Sequence, residues 1–571
     1  MSTTVARPAV DVAAPVVQRG VVDDPSGFEL SREQTALIRW NIYLGFAAVG
    51  VAMFHGLAQA LSYAGINVLG WFPGLQTYYQ GLTVHGVLNA LVFTFAFANG
   101  FLSLTTARAL SRPLNRWLLH GAFWSLVAGV VLLGYAILSN QASVLFTFYA
   151  PLQAHWTFYL GAALLVVSTW LTAANLFLAL GRWRRDNPGE RYPLMAFVSV
   201  ATYAMWVIAS IGLAVQVVGY LLPWSLGLIE GSDPLTMRTL FWYSGHPVVY
   251  FWLLPAYVSW YLMIPRQVGG KLLSDPLTRM VFIMFLLFSI PTGFHHQYTD
   301  PGIPAFMKAL HGVMTFAIFF PSLATAFAIM ASLEMGGRAR GGRGLLGWIP
   351  KLPWGDPSVT AQILAMLTFM VGGATGLINA SLSMNRVIHN TTWVPGHFHT
   401  TVGTAVALTF MGIAYWLVPM LTKRELFGRR IALAQAWIYT VGVLIFARGM
   451  SAAGLDGQPR RTFMAEAPYM PDAWLVPGYW TAVGGSLMAV GITLFFVVLL
   501  GTIFFGRRLE KRPDMPIAET VHPASRKGWE PILDRWPVWV AVAVILIVIA
   551  YGPFVISEMP PTLNTPPFRL F

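Results

Sequence analysis

Residues 393–421 read WVPGHFHTTVGTAVALTFMGIAYWLVPML, an apolar run with no Asp, Glu, Lys or Arg that carries His397 and His399 close to its start. It is long enough to cross the roughly 30 Å hydrocarbon core of a bilayer as a helix. On a helix of 3.6 residues per turn, positions i and i+2 point about 200° apart, so the two imidazoles face opposite sides and each needs its own partner. An imidazole inside a membrane is costly unless its nitrogens find a hydrogen bond or a metal, and such residues mark functional sites. Two metal centres flanking one helix would satisfy both.

The remainder of the chain repeats this apolar character. Of 571 residues, 56% are hydrophobic and 10% charged, and the mean hydropathy is +0.61. The expected fold is an all-α polytopic membrane protein of about thirteen transmembrane helices. Apolar runs place the spans near 36–64, 80–106, 117–138, 153–181, 194–222, 239–264, 277–298, 308–333, 358–381, 391–421, 431–452, 477–505 and 536–557. Residues 1–30 mix Pro, Val and Asp with no basic stretch leading into an apolar core, which reads as a disordered cytoplasmic tail rather than a cleavable signal. Residues 31–571 then form a single transmembrane domain.

Basic clusters orient the bundle. Arg108, Arg112 and Arg116, then Arg182, Arg184 and Arg185, Arg338, Arg340 and Arg343, Lys423, Arg424, Arg429 and Arg430, and Arg507, Arg508, Lys511 and Arg512 all follow even-numbered spans. The positive-inside rule makes those loops cytoplasmic, with the N-terminus inside and the C-terminus outside. The formal charge of +13 follows from this asymmetry. Because the basic residues are split among short loops, nucleic acid is excluded as a partner and membrane lipid is expected.

With that orientation, His85, His246, His295, His296, His397 and His399 all fall within a turn or two of the outer end of their spans. One hydrogen-bonded histidine would need no further explanation; six in one layer do. His246 opens the segment Gly245-His-Pro-Val-Val-Tyr250, and Tyr250 returns to the same helix face four residues on. His55, His120, His155 and His311 read as packing or interfacial residues, His522 as a loop residue, and His389 lies close to the site layer.

Neutral imidazoles without an intramembrane carboxylate or thiolate suit redox metals. A partition follows in which His85 and His399 supply the axial ligands of a low-spin haem, His397 the single ligand of a high-spin haem, and the remaining three histidines a copper ion. The His-Pro-Val-Val-Tyr segment, the His-His pair and Pro-Gly-His-Phe-His, together with the spans, resemble subunit I of the haem-copper oxidases. The likeness covers nearly the whole chain and is closest to the B-family, ba-type cytochrome c oxidases of bacteria.

That resemblance implies a terminal respiratory oxidase that reduces dioxygen to water between the high-spin iron and CuB, which is held by His246, His295 and His296. It implies a b-type low-spin and an a-type high-spin haem, coupled proton translocation, and a covalent link from His246 to the catalytic Tyr250. Tyr257 and Tyr261 share a helix face with Tyr250, and Ser322 and Thr325 match the hydroxyl-lined proton path of B-family relatives. Arg460 and Arg461 would pair with haem propionates, His389 and Asn385 lying near those of the other haem. Relatives carry Asp at the Asn385 position. Val248 stands where A-family members place a channel glutamate, so the second proton channel should be missing.

The chain has no cysteine, so the thiolate-bound CuA centre that receives electrons from cytochrome c must sit in a separate subunit II. A small accessory transmembrane subunit is a further expected partner. Two alternatives remain: a nitric oxide reductase, with non-haem iron and site glutamates in place of copper and the linked tyrosine, and a proton-relay transporter without cofactors.

Overall fold

The computed structural model describes residues 28–72, 74–557 and 565–569. Up to residue 27 the expected disordered tail lies outside the described residues. Among the described residues, twelve helices are long and apolar enough to span a membrane: α1 (Arg32–Ser62), α2 (Tyr78–Ala109), α3 (Arg116–Leu138), α4 (Trp156–Asp186), α5 (Leu194–Ser225), α6 (Pro234–Gln267), α8 (Ala305–Ala339), α9 (Pro357–Ala380), α10 (Trp393–Thr422), α11 (Arg429–Leu455), α12 (Asp472–Phe505) and α13 (Trp536–Ile556). Between α6 and α8 lies α7 (Asp275–Phe288), of 14 residues.

At about 21 Å, α7 is too short to cross the bilayer alone. The segment expected as one span over 277–298 therefore divides. Pro291 has no amide to continue a helix, and the chain proceeds into a 3-10 turn, Gly293–Gln297, that holds His295 and His296. A similar interruption places His246. Helix α6 consists of Pro234–Gly245, Pro247–Leu262 and Ile264–Gln267, and Pro247 offers no donor to the carbonyl one turn earlier. In α2 and α10, π-helical segments Leu88–Phe93 and Val402–Leu408 begin three residues after His85 and His399. Such widened turns recur at functional sites because they re-aim the side chains beside them.

Small residues set the closest helix contacts. Gly129 on α3 and Gly161 on α4 face each other so closely that a Cβ on either would lie 2.8 Å from the other's carbonyl oxygen, and for Gly442 on α11 and Gly484 on α12 the corresponding distances are 2.9 and 2.6 Å. In lipid, where apolar burial does not drive association between helices, such approach supplies the packing. Aromatic rings fill the middle of the bundle, Phe97 stacking on Phe410 with centroids 3.7 Å apart.

One buried ion network ties the basic face together. Arg279 on α7 is 1% exposed and donates to Asp275 at 2.5 Å, to Asp534 at 2.8 Å and to the Tyr192 carbonyl at 2.6 Å. Arg191 also pairs with Asp534. Arg279→Met is expected to leave these carboxylates short of their partner at a cost of about 3–5 kcal/mol. A lowered midpoint of thermal inactivation would show it, and an unchanged midpoint would mean that Arg191 suffices.

Candidate metal centres

Two cavities open between the helices in the layer of the six histidines. The first, of about 260 Å³, is lined by His85 and His399 together with Phe398, Gly56, Gly86 and Arg461. His85 Nδ1 lies 3.0 Å from the Ala52 carbonyl, and His399 Nδ1 lies 2.7 Å from that of Pro395. A carbonyl oxygen only accepts, so each Nδ1 carries the proton and each Nε2 lone pair is left to the cavity. The two rings are nearly parallel, at 18°, with centroids 6.4 Å apart. A metal–imidazole bond of about 2 Å on either side of a shared ion gives nearly that separation, so the donor set fits a six-coordinate haem iron. Gly56 is required here because a Cβ would press within 2.7 Å of the His85 ring.

The second cavity, of about 350 Å³, is lined by His246, His295, His296, His397 and Tyr250. The ligating atoms of His246, His295 and His296 lie within 4.8 Å of one another, close enough to share one ion. His246 Nδ1 is 3.3 Å from His296 Nε2, while His246 Nε2 is buried without a hydrogen-bond partner. Trp242 stacks on His296 at 3.7 Å and 5°. Tyr250 approaches His246 with ring centroids 4.9 Å apart, which follows from their i, i+4 spacing on α6.

Hydroxyl groups fix two further rings. Thr315 donates to the His311 carbonyl at 2.7 Å, so the 2.7 Å contact between its oxygen and His295 Nδ1 is one in which the imidazole donates. That leaves His295 Nε2 free to bind an ion. Thr375 similarly donates to the Gly372 carbonyl and receives His397 Nδ1 at 2.9 Å, aiming His397 Nε2 into the cavity. These arrangements are those of metal-binding histidines, whose second nitrogen is held by an outer partner. A copper ion and a single-ligand haem both fit the donors present.

From Tyr250 towards the basic face, α6 carries Tyr257 and Tyr261, both fully buried. Tyr257 donates to Ser322 at 3.4 Å and Tyr261 to Thr325 at 2.8 Å, so α8 meets the tyrosine stripe at both hydroxyl positions.

On the opposite side, Arg460 and Arg461 line both cavities. Arg461 has φ 68°, a left-handed conformation rare for a side chain of this size and associated with functional sites. The loop before α10 supports it, with Arg460 donating to the Asn390 carboxamide oxygen at 2.9 Å. Burial, with Arg461 alongside, pushes the Arg460 guanidinium down to about 9. Among the described residues, no aspartate or glutamate lines either cavity. Paired guanidiniums with no carboxylate fit the anionic edge of a haem. His389 and Asn385 line the second cavity, with His389 Nδ1 3.1 Å from the Asn385 oxygen.

Sequence reading missed Thr315 and Thr375, which belong to helices 20 and 22 residues away from the histidines they hold. No periodic signal marks such pairs. His120, expected as interfacial, pairs with Glu33 at 2.6 Å, and His155 caps α4 through Thr157.

The sequence matches the family model described as Cytochrome C and Quinol oxidase polypeptide I over residues 36–488. It is 44% identical over 555 residues to "Cytochrome c oxidase subunit 1" of Thermus thermophilus, covering 95% of this chain and 98% of that protein. It is 24% identical over 545 residues to "Cytochrome c oxidase polypeptide 1" of Halobacterium salinarum, covering 89% and 87%. Among solved structures, a chain of a heme-copper terminal oxidase dimer is similar with a TM-score of 0.90 and 35% identity, covering 95% of this chain and 96% of that one.

Proposed function

This chain belongs to the cytochrome c and quinol oxidase polypeptide I family, and from that premise we propose how its residues divide the work of the enzyme. It is the catalytic subunit of a terminal respiratory oxidase, a multi-pass membrane protein of the haem-copper class. The nitric oxide reductase alternative is not favoured: neither cavity is lined by a described carboxylate, and Tyr250 stands beside His246.

The observation that carries the site reading is the convergence of three histidine nitrogens within 4.8 Å in a cavity shared with His397 and Tyr250. His246, His295 and His296 hold CuB, His397 holds the high-spin haem, and His85 and His399 hold the low-spin haem. When bound, the haem irons and copper supply the electron transfer and dioxygen binding that no side chain offers. Tyr250 gives a proton and an electron to the reacting oxygen. The unpartnered His246 Nε2 supports its covalent link to Tyr250: the new N–C bond replaces the imidazole N–H and one tyrosine ring C–H, and the two protons and two electrons released pass to dioxygen, the enzyme's substrate; mass spectrometry of the peptide holding both residues would detect the loss of two hydrogens.

Protons enter along Tyr261, Thr325, Tyr257 and Ser322 from the basic face, which is the cytoplasmic one in this reading, with the N-terminus inside and the C-terminus outside. Tyr261→Phe removes the hydroxyl donated to Thr325 and is expected to slow turnover by roughly a hundredfold, the low end for loss of a proton-transferring group, with both haem spectra unchanged. Turnover at the unmodified rate would place the path elsewhere. Arg460, Arg461, His389 and Asn385 bind the propionates, and Asn385, a neutral amide, can orient a proton but cannot store one.

Electrons come from cytochrome c through a CuA-containing subunit II, since this chain has no cysteine, and a small accessory transmembrane subunit completes the complex. The low-spin haem is b-type and the high-spin haem a-type in this reading. A reduced-minus-oxidised spectrum with and without carbon monoxide, beside metal analysis of the purified subunit, tests the assignment. Paired haem irons for each copper, one of them binding carbon monoxide, is the expected result; iron without copper would return the reductase, and a colourless protein would overturn both.

A further inference from the structure

Helix α13 lies beyond the stretch matched by the family model, which ends at residue 488, yet its last turns meet the segment that presents His295 and His296. The Tyr551 phenol oxygen accepts the Gly293 N–H at 3.2 Å and donates to the Ile290 carbonyl at 3.1 Å. One residue earlier, the Ala550 carbonyl accepts from His311 Nε2 at 3.0 Å, while His311 Nδ1 accepts the Phe294 N–H at 3.2 Å. These partners fix the imidazole as neutral with its proton on Nε2, because one nitrogen faces a donor and the other an acceptor.

Every member of this group is buried, His311 and Phe294 completely and Tyr551 at 5% exposure. Gly293 is caged between the Tyr551 oxygen and the Trp242 carbonyl, with no room for a Cβ. Residues 289–292 have no regular helix to hold them, since Pro291 breaks it. Local bonds shape part of the turn, the Thr292 hydroxyl donating to the Ser289 carbonyl and the Thr292 amide to that of Ile290, whereas the backbone amides of Gly293 and Phe294 would be stranded in an apolar interior without Tyr551 and His311. His311 also reaches the site by a second route, its carbonyl accepting from the Thr315 hydroxyl that receives His295 Nδ1–H.

We infer that α13 is a latch for the copper-binding turn: Tyr551 and His311 are positioning residues that set the backbone from Ile290 to Phe294 so that His295 and His296 converge on His246. The inference rests on the reading of those three histidines as copper ligands. Neither Tyr551 nor His311 lines the cavity that the three histidines share. Outer partners of metal ligands typically contribute a factor of about 10–100 in affinity, which sets the expected effect.

The test uses the whole oxidase complex carrying Tyr551→Phe, which keeps the ring and removes one oxygen, and His311→Leu. The readouts are copper per haem after exposure to a chelator, and the infrared band of carbon monoxide bound to copper after photolysis from the haem. Both variants should keep the low-spin haem spectrum, lose copper at least about tenfold more readily, and show a shifted or broadened copper–carbonyl band. Tyr243→Phe serves as control: Tyr243 sits 5.0 Å from Tyr551 in the same aromatic group but bonds the Ile208 carbonyl. Copper retention and band unchanged in both variants would overturn the latch, and so would an equal loss in Tyr243→Phe, which would signal general loosening. A parent complex without copper would instead overturn the ligand reading itself.

Discussion

Replacing His246 by alanine is expected to remove copper and oxygen reduction together while leaving the low-spin haem intact. His246 contributes one of three nitrogens that lie within 4.8 Å of one another, and a two-histidine remnant cannot complete a copper site. Outer-partner changes already weaken metal binding by about 10–100-fold, so loss of a direct ligand should exceed that, and copper should fall below detection by elemental analysis. His85 and His399 line a separate cavity, and their carbonyl anchors at Ala52 and Pro395 do not involve His246. The reduced low-spin band should therefore keep its position and intensity. Retained copper and turnover would refute the ligand assignment.

The second large effect is expected at Tyr250. Tyr250→Phe keeps the ring that packs against Phe285 at 5.2 Å and removes only the phenol oxygen. If that oxygen supplies the proton and electron for cleaving the O–O bond, turnover should drop by at least about a hundredfold, with both haems and copper still present. Stopped-flow oxidation of the reduced variant would locate the block after oxygen binding. Normal turnover would reduce Tyr250 to a packing residue, leaving the unpartnered His246 Nε2 unexplained.

The layer of six histidines that lines the two cavities was legible because helix geometry is local. Histidines are few in an apolar chain, their depth follows from counting residues along each span, and His397 and His399 declare opposite partners through the i, i+2 relation alone. The seventh span was less so. Its apolar run over 277–298 reads as continuous, and Pro291 was an available signal of the break that turns the His295–His296 pair inward after α7. The hydroxyl partners Thr315 and Thr375 left no signal, and His311 read as packing although it holds the Phe294 amide. Threonines are common in membrane helices, and nothing in the spacing says which carbonyl or imidazole each one meets.

By itself the sequence determined that this protein is a helical bundle in a membrane, which residue types could bind redox metals, and that the chain offers no thiolate. Those follow from transfer free energies and ligand chemistry, which depend on residue identity and order. Only the tertiary structure decided which nitrogen of His85, His295, His397 and His399 faces its cavity, how Arg279 reaches Asp534 across 255 positions, and that α13 grips the turn before His295. Directions and contacts of this kind depend on how separate helices rotate and pack against one another. Periodicity along one helix constrains its own faces and carries no record of its neighbours'.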